Sequence, residues 1–177
     1  MSGEWSSRAL VTARAAELLR RLRDDHGALM MHQSGGCCDG SAPMCYPDGE
    51  FIIGDRDVLL GRLWIDDGVA ASEAAGASVV PVWISGSQFE AWKHTQLVID
   101  AVPGRGAGFS LESPTGMRFL TRSRVFPPEV LAGLPAPRTG AEVEQGASLP
   151  DPLGPMALTG ELADVCPLPS SRAAGDH

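Results

Sequence analysis

The sequence lacks three features that would point to common classes of protein. Basic residues are not in excess, because 22 Asp and Glu outnumber 14 Lys and Arg and give a formal net charge of -8. We therefore expect no nucleic-acid partner, since binding to phosphates needs a basic face. No apolar run approaches the roughly 18 residues of a membrane-spanning helix. The first residues also lack the basic segment and apolar core of a signal peptide, and we expect a cytoplasmic protein with no membrane partner.

The length and composition of the chain predict one domain followed by a tail. A chain of 177 residues with 44% hydrophobic residues can bury a core of its own. Near residue 135 the composition changes, and nine of the 14 prolines lie at or after position 127. Such a segment buries too little apolar surface to offset its ordering entropy. We predict a single domain over 1–134 and a mainly disordered tail over 135–177.

Hydrophobic periodicity predicts a mainly β domain of the α+β class with one N-terminal helix. Apolar residues recur at helical spacing from Ser7 to Asp25, where Ser7 or Thr12 can cap the helix and Gly27 can end it. Strands are predicted at 28–33, 50–53, 57–65, 79–84, 95–102, 108–111 and 117–120. Short helices are predicted from Gln88 to Lys93 and from Val125 to Leu134. Pro81 indicates that the 79–84 strand lies at a sheet edge or that the proline is among its first residues.

Three of the four cysteines lie in one short glycine-rich stretch. From His32 to Cys45 the pattern is H-x4-C-C-x6-C, with Cys37 and Cys38 adjacent. Strand-like sequence on both sides predicts a loop on which several thiolates can face one point. Thiolate and imidazole ligands suit zinc, iron, iron–sulfur clusters or copper(I). We predict a metal site for iron or zinc formed by Cys37, Cys38, Cys45 and His32.

Two other interpretations of this cysteine loop stay open. The thiols can simply be buried in a glycine-rich turn, or Cys37 or Cys38 can form a redox pair with Cys45. Only one of the two adjacent cysteines needs to be a ligand. His94 is a further candidate ligand, provided that the fold brings it to the loop. Cys166 is expected to be a lone thiol in the tail.

The remaining polar stretches indicate weaker sites. The glycines of 104–108 lack the lysine and the strand–loop–helix order of a phosphate loop, so a turn is predicted. Arg118, Arg122 and Arg124 share one strand face, which can hold an anionic partner but is more simply solvated. No Ser-His-Asp order or nucleophile elbow is present. We therefore predict a binding protein rather than an enzyme, with a cysteine-dependent enzyme or thiol redox switch as the alternative.

Long stretches resemble an uncharacterised bacterial family, domain of unknown function seven hundred and seventy-nine. They are HQSGGCCDGSAPMCYPDGEF from His32 to Phe51, WKHTQL from Trp92 to Leu97 and PGRGAGFSL from Pro103 to Leu111. The resemblance covers about residues 10–126. Members of this family are often encoded near alcohol and aldehyde dehydrogenases, which implies a metabolic context. A dehydrogenase or a metal-delivery protein is the partner that this resemblance implies.

A more distant resemblance is to the HesB-like A-type iron–sulfur carriers. The order helix, Gly27, strand and GCCDG is similar to their helix, strand and Gly-Cys-Ser-Gly loop, with Cys38 at the loop cysteine. HTQLVI from His94 resembles their Gly-Thr-Glu-Leu-Asp-Tyr strand, and GFSLESP from Gly108 their Gly-Phe-x-Phe-x-Asn-Pro. The resemblance implies a compact HesB-like β-sandwich with one flanking helix. The carriers end with a Cys-Gly-Cys segment that this chain lacks, so Cys37, Cys45 and His32 or His94 would complete the ligand set.

These observations lead to one hypothesis about function. We expect a cytoplasmic metal- or iron–sulfur-binding accessory protein that supports dehydrogenase metabolism, in which Cys38 and Cys45 are ligands and Cys37 and a histidine complete the set. Exposed strand edges in a β domain also favour pairing with a second copy, and we expect a homodimer as one possible assembly.

Overall fold

A computed structural model of the chain describes residues 3–34, 42–67, 76–106 and 108–155. Within these ranges the fold is a mixed α+β arrangement with two sheets, which confirms the predicted α+β class. The strands are β1 (Ala9–Val11), β2 (Leu29–Gln33), β3 (Met44–Pro47), β4 (Val58–Trp64), β5 (Val79–Ile84), β6 (Thr95–Pro103), β7 (Met117–Val125) and β8 (Arg138–Thr139). The helices are α1 (Ala13–His26), α2 (Gly86–Trp92), α3 (Pro128–Gly133) and α4 (Gly140–Glu144). None of the described helices is long and apolar enough to cross a membrane.

The two sheets differ in size and in the direction of their strands. The smaller has the order β1-β6-β7, with β1 parallel to β6 and β6 antiparallel to β7 over nine residue pairs from Thr95↔Val125 to Pro103↔Met117. The larger has the order β3-β2-β5-β4-β8, in which β2 and β5 are parallel and the other pairs are antiparallel. Both sheets and α1 contribute to one hydrophobic core, in which Leu19, Met31 and Phe119 are fully buried.

The N-terminal helix is shorter than its sequence pattern predicts. It begins after Thr12, whose hydroxyl accepts the Ala15 N–H at 3.2 Å, and it ends at Gly27, which has a φ of 84°. The predicted helical segment before Thr12 instead contains β1, which is buried and pairs with β6 from Ala9↔Leu97 to Val11↔Ile99. A run of only three apolar residues, Ala9–Val11, fits the spacing of a helix as well as that of a strand. Pairing with β6 selects the strand.

Several other strand predictions differ from the structure. Residues 50–53 and 108–111 are turns, bends and loop, whereas β3 begins within the stretch for which a cysteine loop is predicted. The strand that contains Pro81 lies at the centre of its sheet rather than at an edge, and Pro81 is among its first residues, at the third position. Pairing of β5 with β2 begins at Val82, one residue after the proline. Position 81 therefore needs no backbone N–H to donate to β2. A proline, which has no N–H, can for this reason lie in a central strand.

The first part of the predicted disordered tail has secondary structure. β8 pairs with the free edge of β4 through Val58↔Thr139, and α4 follows with a capping box between Thr139 and Glu142. Farther on, the Trp64 N–H donates to the Leu153 carbonyl at 2.8 Å. An edge strand with unpaired backbone groups thus orders a segment that has little hydrophobic periodicity of its own. Residues 156–177, with Cys166, lie outside the described residues, and the 1–134 boundary stays a prediction.

Candidate metal and thiol site

The pairing of β2 with β3 puts His32 and Cys45 on opposite faces of the five-stranded sheet. Met31 lies opposite Cys45 and His32 lies opposite Met44. Because side chains alternate along a strand, Met31 and Cys45 enter the core while His32 faces outward. The sequence predicts one site for both residues, but the structure separates their side chains by the thickness of the sheet.

Cys45 is a fully buried thiol in the hydrophobic core. Its side chain has 0% exposure, its N–H donates to the Ser110 hydroxyl at 2.8 Å, and its carbonyl accepts the Leu111 N–H at 3.1 Å. Burial, with a smaller contribution from the charge of Glu112, raises the pKa of this thiol far above its ordinary value. A metal ligand or nucleophile must be a thiolate. Cys45 therefore has the environment of a packing residue.

His32 is buried at the end of β2 and has a polar partner for each ring nitrogen. Nε2 lies 3.2 Å from Asp57 Oδ2, and Nδ1 lies 2.6 Å from the Ser34 hydroxyl oxygen. Only 3% of His32 is exposed, and its ring centroid lies 4.4 Å from that of Phe51. When Nε2 carries the proton it donates to Asp57, and Nδ1 then accepts from Ser34. The carboxylate thus fixes the ring with one nitrogen directed toward the start of the cysteine loop.

The turn before β4 positions the carboxylate of Asp57. The Gly54 N–H donates to Asp57 Oδ2 at 2.9 Å, and the Asp57 N–H donates to the Gly54 carbonyl at 3.0 Å. The C-terminal segment holds the same turn from outside, because the Gly140 N–H donates to the Asp57 carbonyl at 2.8 Å and the Ala141 N–H to that of Asp55 at 3.2 Å. The part of the chain predicted to be a tail therefore supports the His32–Asp57 pair.

The cysteine loop begins directly beside this pair. Ser34 is the last described residue before the loop, and Cys37 follows it by three residues, a reach of roughly 10 Å for an extended chain. Cys37 and Cys38 themselves lie outside the described residues. A histidine that is oriented by a carboxylate can be a metal ligand with an outer-shell partner, or it can hold a nearby thiolate as an ion pair. Either role requires His32 Nδ1 to exchange its hydrogen bond with Ser34 for the metal or the thiolate.

His94 lies in a different part of the molecule. It is exposed immediately before β6, in the smaller sheet, and its carbonyl accepts the Phe126 N–H at 3.0 Å. No contact recorded among the described residues joins it to His32 or Cys45. Cys37 and Cys38 lie outside the described residues, so the proximity of His94 to the cysteine loop, on which its role as a ligand depends, stays a prediction.

Within the described ranges, no three or more His, Cys, Asp and Glu residues are grouped so that they could hold one metal ion. His32 and Asp57 supply two polar groups at most. A site with three protein ligands therefore requires at least one donor from outside the described residues, and the adjacent Cys37 and Cys38 are the nearest candidates along the chain.

Sequence reasoning missed two members of this arrangement. Asp57 is one of several acidic residues around a turn, and no spacing rule connects it to His32, which lies 25 positions earlier. Ser34 lies at the start of the predicted loop. Its contact with His32 depends on the alternation of side chains along β2 and the residue after it, which brings positions 32 and 34 to the same side. Only the i, i+2 spacing of His32 and Ser34 offered a signal.

Comparison with known proteins identifies a family but no characterised relative. No curated protein and no solved structure matches the sequence. One family model matches residues 18–125, which is more than half of the chain and extends from α1 through β7. The matched range contains His32, the three cysteines of the loop and Asp57. The chain therefore belongs to the family described as Domain of unknown function (DUF779).

Proposed function

We propose that this protein is a cytoplasmic, non-enzymatic metal-binding accessory protein. Its ion, iron or zinc, is held by Cys37 and Cys38 together with His32. The observation that carries the proposal is the hydrogen-bonded pair of buried His32 and half-buried Asp57 at the start of the cysteine loop. Metal-ligating histidines commonly donate their second ring N–H to a carboxylate, which fixes the tautomer and makes the ligating nitrogen more basic. In this proposal the ligating nitrogen is Nδ1, which exchanges its hydrogen bond with Ser34 for the metal ion.

The proposed ligand set is smaller than the set predicted from sequence. Cys45 is not included because its buried, protonated thiol faces the core, and His94 is not included because it is exposed at the start of β6. Asp57 enters as the residue that orients His32. With two thiolates and one imidazole, the set suits zinc or iron and leaves a coordination position for water or for a partner's ligand.

Two wider parts of the proposal rest on sequence resemblance alone. A relation to the HesB-like carriers supports a role in holding iron or a small cluster, with the lost Cys-Gly-Cys ligands replaced within the loop. The association of the family with alcohol and aldehyde dehydrogenases supports a dehydrogenase or a metal-delivery protein as the partner. A partner protein that supplies a ligand at the open coordination position would connect the metal-holding role with the dehydrogenase context.

Metal analysis of anaerobically purified protein tests the proposal. We expect about one iron or zinc per chain in the wild type, with an absorption spectrum that identifies thiolate ligation. His32→Gln should lose most of this metal, because glutamine removes the ligating nitrogen from the loop. His94→Gln is the matched control, since it removes an exposed histidine from the other sheet.

Because His32 is buried, circular dichroism must show that His32→Gln is folded. The double variant Cys37→Ser/Cys38→Ser gives a second test that leaves the buried His32 unchanged. Wild-type metal content in both variants, or no metal in the wild type under any purification condition, would sink the proposal.

The same geometry favours a second candidate function, a thiol redox switch or cysteine-dependent enzyme. The contact between His32 Nε2 and Asp57 orients the ring, and an imidazole beside a thiol can accept its proton to give a reactive thiolate. This candidate predicts metal-free protein in which one cysteine of the 37–38 pair is alkylated rapidly at neutral pH. His32→Gln should then slow the alkylation, while His94→Gln should not.

A further inference from the structure

The outer face of the five-stranded sheet has a cavity that the proposed metal site does not use. Its volume is about 380 Å³, within the range of small-molecule sites. The floor is formed by Met30, Leu59 and Trp83 from three adjacent strands, and Phe51 and Val143 line it from the loop after β3 and from α4. The cavity therefore lies between the sheet and the segments that cover it.

The outward-facing residues at this position are apolar, although the opposite face of the same strands already packs into the main core. Met30, Leu59 and Trp83 form a separate hydrophobic cluster, against which Phe51 and Val143 pack. A sheet face that is directed to solvent would carry polar side chains. The outward-facing residues of β2, β4 and β5 thus form an apolar surface, and the segments that pack on it cover it only in part.

Among the described residues that line the cavity, Arg62 is the basic one. Arg62 follows Leu59 on the outward face of β4 and lies opposite Pro81. Its Nη1 donates to the Pro150 carbonyl at 3.1 Å, and within the part of the chain that the structure describes its Nε and Nη2 have no hydrogen-bond acceptor. An acidic residue, Asp48, lines the cavity from the β3 side, three strand spacings or roughly 14 Å across the sheet.

We propose that this cavity binds a small, mainly apolar carboxylate. The apolar body would lie against Trp83 and Phe51, and the carboxylate would bind Nε and Nη2 of Arg62, whose fork of N–H groups matches its geometry. The charge of Asp48 at the opposite end disfavours a second anionic group and sets the orientation. Phe51 connects this cavity to His32, since its ring also lies 4.4 Å from the imidazole.

Calorimetric titration of the full-length protein with octanoate tests this inference, with 1-octanol as an uncharged probe of the same chain length. We expect saturable binding of one octanoate per chain. Arg62→Gln should weaken octanoate binding roughly tenfold, the effect of losing a hydrogen bond to a charged group, and should change octanol binding little. Arg56→Gln, which removes an exposed arginine outside the cavity, is the matched control.

A second variant tests the location of the ligand. Val143→Trp adds volume from α4 into the cavity and should abolish binding of both octanoate and octanol. Absence of octanoate binding to the wild type at millimolar concentration would overturn the inference. Binding that neither Arg62→Gln nor Val143→Trp reduces would equally overturn it, because the ligand would then lie elsewhere on the protein. Neither result depends on metal content, so the cavity and the metal site can fail separately.

Discussion

Asp100 shows how a single carboxylate can be buried in this protein and remain charged. Its side chain is fully buried on β6, yet it accepts hydrogen bonds from Thr12 at 2.8 Å, from Arg14 Nε at 2.6 Å and from Arg122 Nε at 2.9 Å. Burial alone would raise the pKa of this carboxyl, but the hydrogen bonds outweigh it and lower the pKa to about 2. The residue therefore joins the start of α1 to both long strands of the smaller sheet.

Asp100→Asn should destabilise the protein by about 3 kcal/mol at pH 7, because it leaves two arginines without their buried counter-charge. The folded pKa is about 2 and the unfolded value about 3.9, so the contribution of Asp100 is fully present above pH 4 and is lost as the pH falls toward 2. Urea unfolding across this pH range should show the two proteins converging in acid. Asp67→Asn, at a fully exposed carboxylate, is the control; a constant difference at every pH would contradict the assignment.

Cys45 gives a second prediction for a single residue. Since its thiol is buried and its pKa is raised, native Cys45 should react with iodoacetamide far more slowly than it does in urea. Mass mapping of the labelled peptide measures this rate. Cys45→Ala should cost roughly 1–2 kcal/mol of stability through lost packing. Labelling of native Cys45 at the rate of the unfolded thiol would show that its buried position is wrong.

The β8–α4 segment lies where sequence patterns predicted a disordered tail. Its first helical residue, Gly140, lies so close to the 54–57 turn that a Cβ atom there would collide with the carbonyl oxygen of Gly54. The same turn presents Asp57 to His32. Close packing of this glycine against the turn therefore determines how the C-terminal segment supports the site.

Gly140→Ala should displace β8 and α4 from β4 and increase the hydrogen exchange of residues 138–145. We expect a loss of about 1–3 kcal/mol in the free energy of unfolding, the usual cost of overpacking. Gly133→Ala, in α3, has open space around its added methyl and should be tolerated. Equal exchange in the two variants would mean that the segment does not pack on the turn as described.

Elements with a strong local pattern were predictable from sequence. The 3.6-residue period from Val11 to Leu22 and the glycine at position 27 indicate α1 and its end, and the β2, β5 and β6 strands follow from compact apolar runs. β1 was not predictable, because Ala9–Val11 fits a helix or a strand and only its parallel pairing with β6 selects the strand. β3 was not predictable because its apolar run, with glycines and cysteines around it, is too short to indicate a strand. Pairing with β2 is what makes it a strand.

In the whole molecule, residues far apart in sequence meet where the two sheets share a core. The Thr121 hydroxyl donates to Gln33 Oε1 at 3.2 Å across 88 positions, and Cys45 meets Ser110 across 65. Residue types and spacing indicated the cysteine loop and His32 as a candidate site. They could not indicate that Cys45 faces away from His32, because that separation depends on the register of β2 with β3. The contribution of Asp57 depends likewise on long-range packing.

In the proposed site, metal binding depends on the loop cysteines beside His32 and does not depend on Cys45. The most direct test is the metal content per folded chain of Cys37→Ser/Cys38→Ser and of Cys45→Ala, purified anaerobically beside the wild type. We predict wild-type metal content in Cys45→Ala and loss of the metal in the double variant. Loss of metal from folded Cys45→Ala, with metal retained in the double variant, would contradict the account and place the ligand in the core.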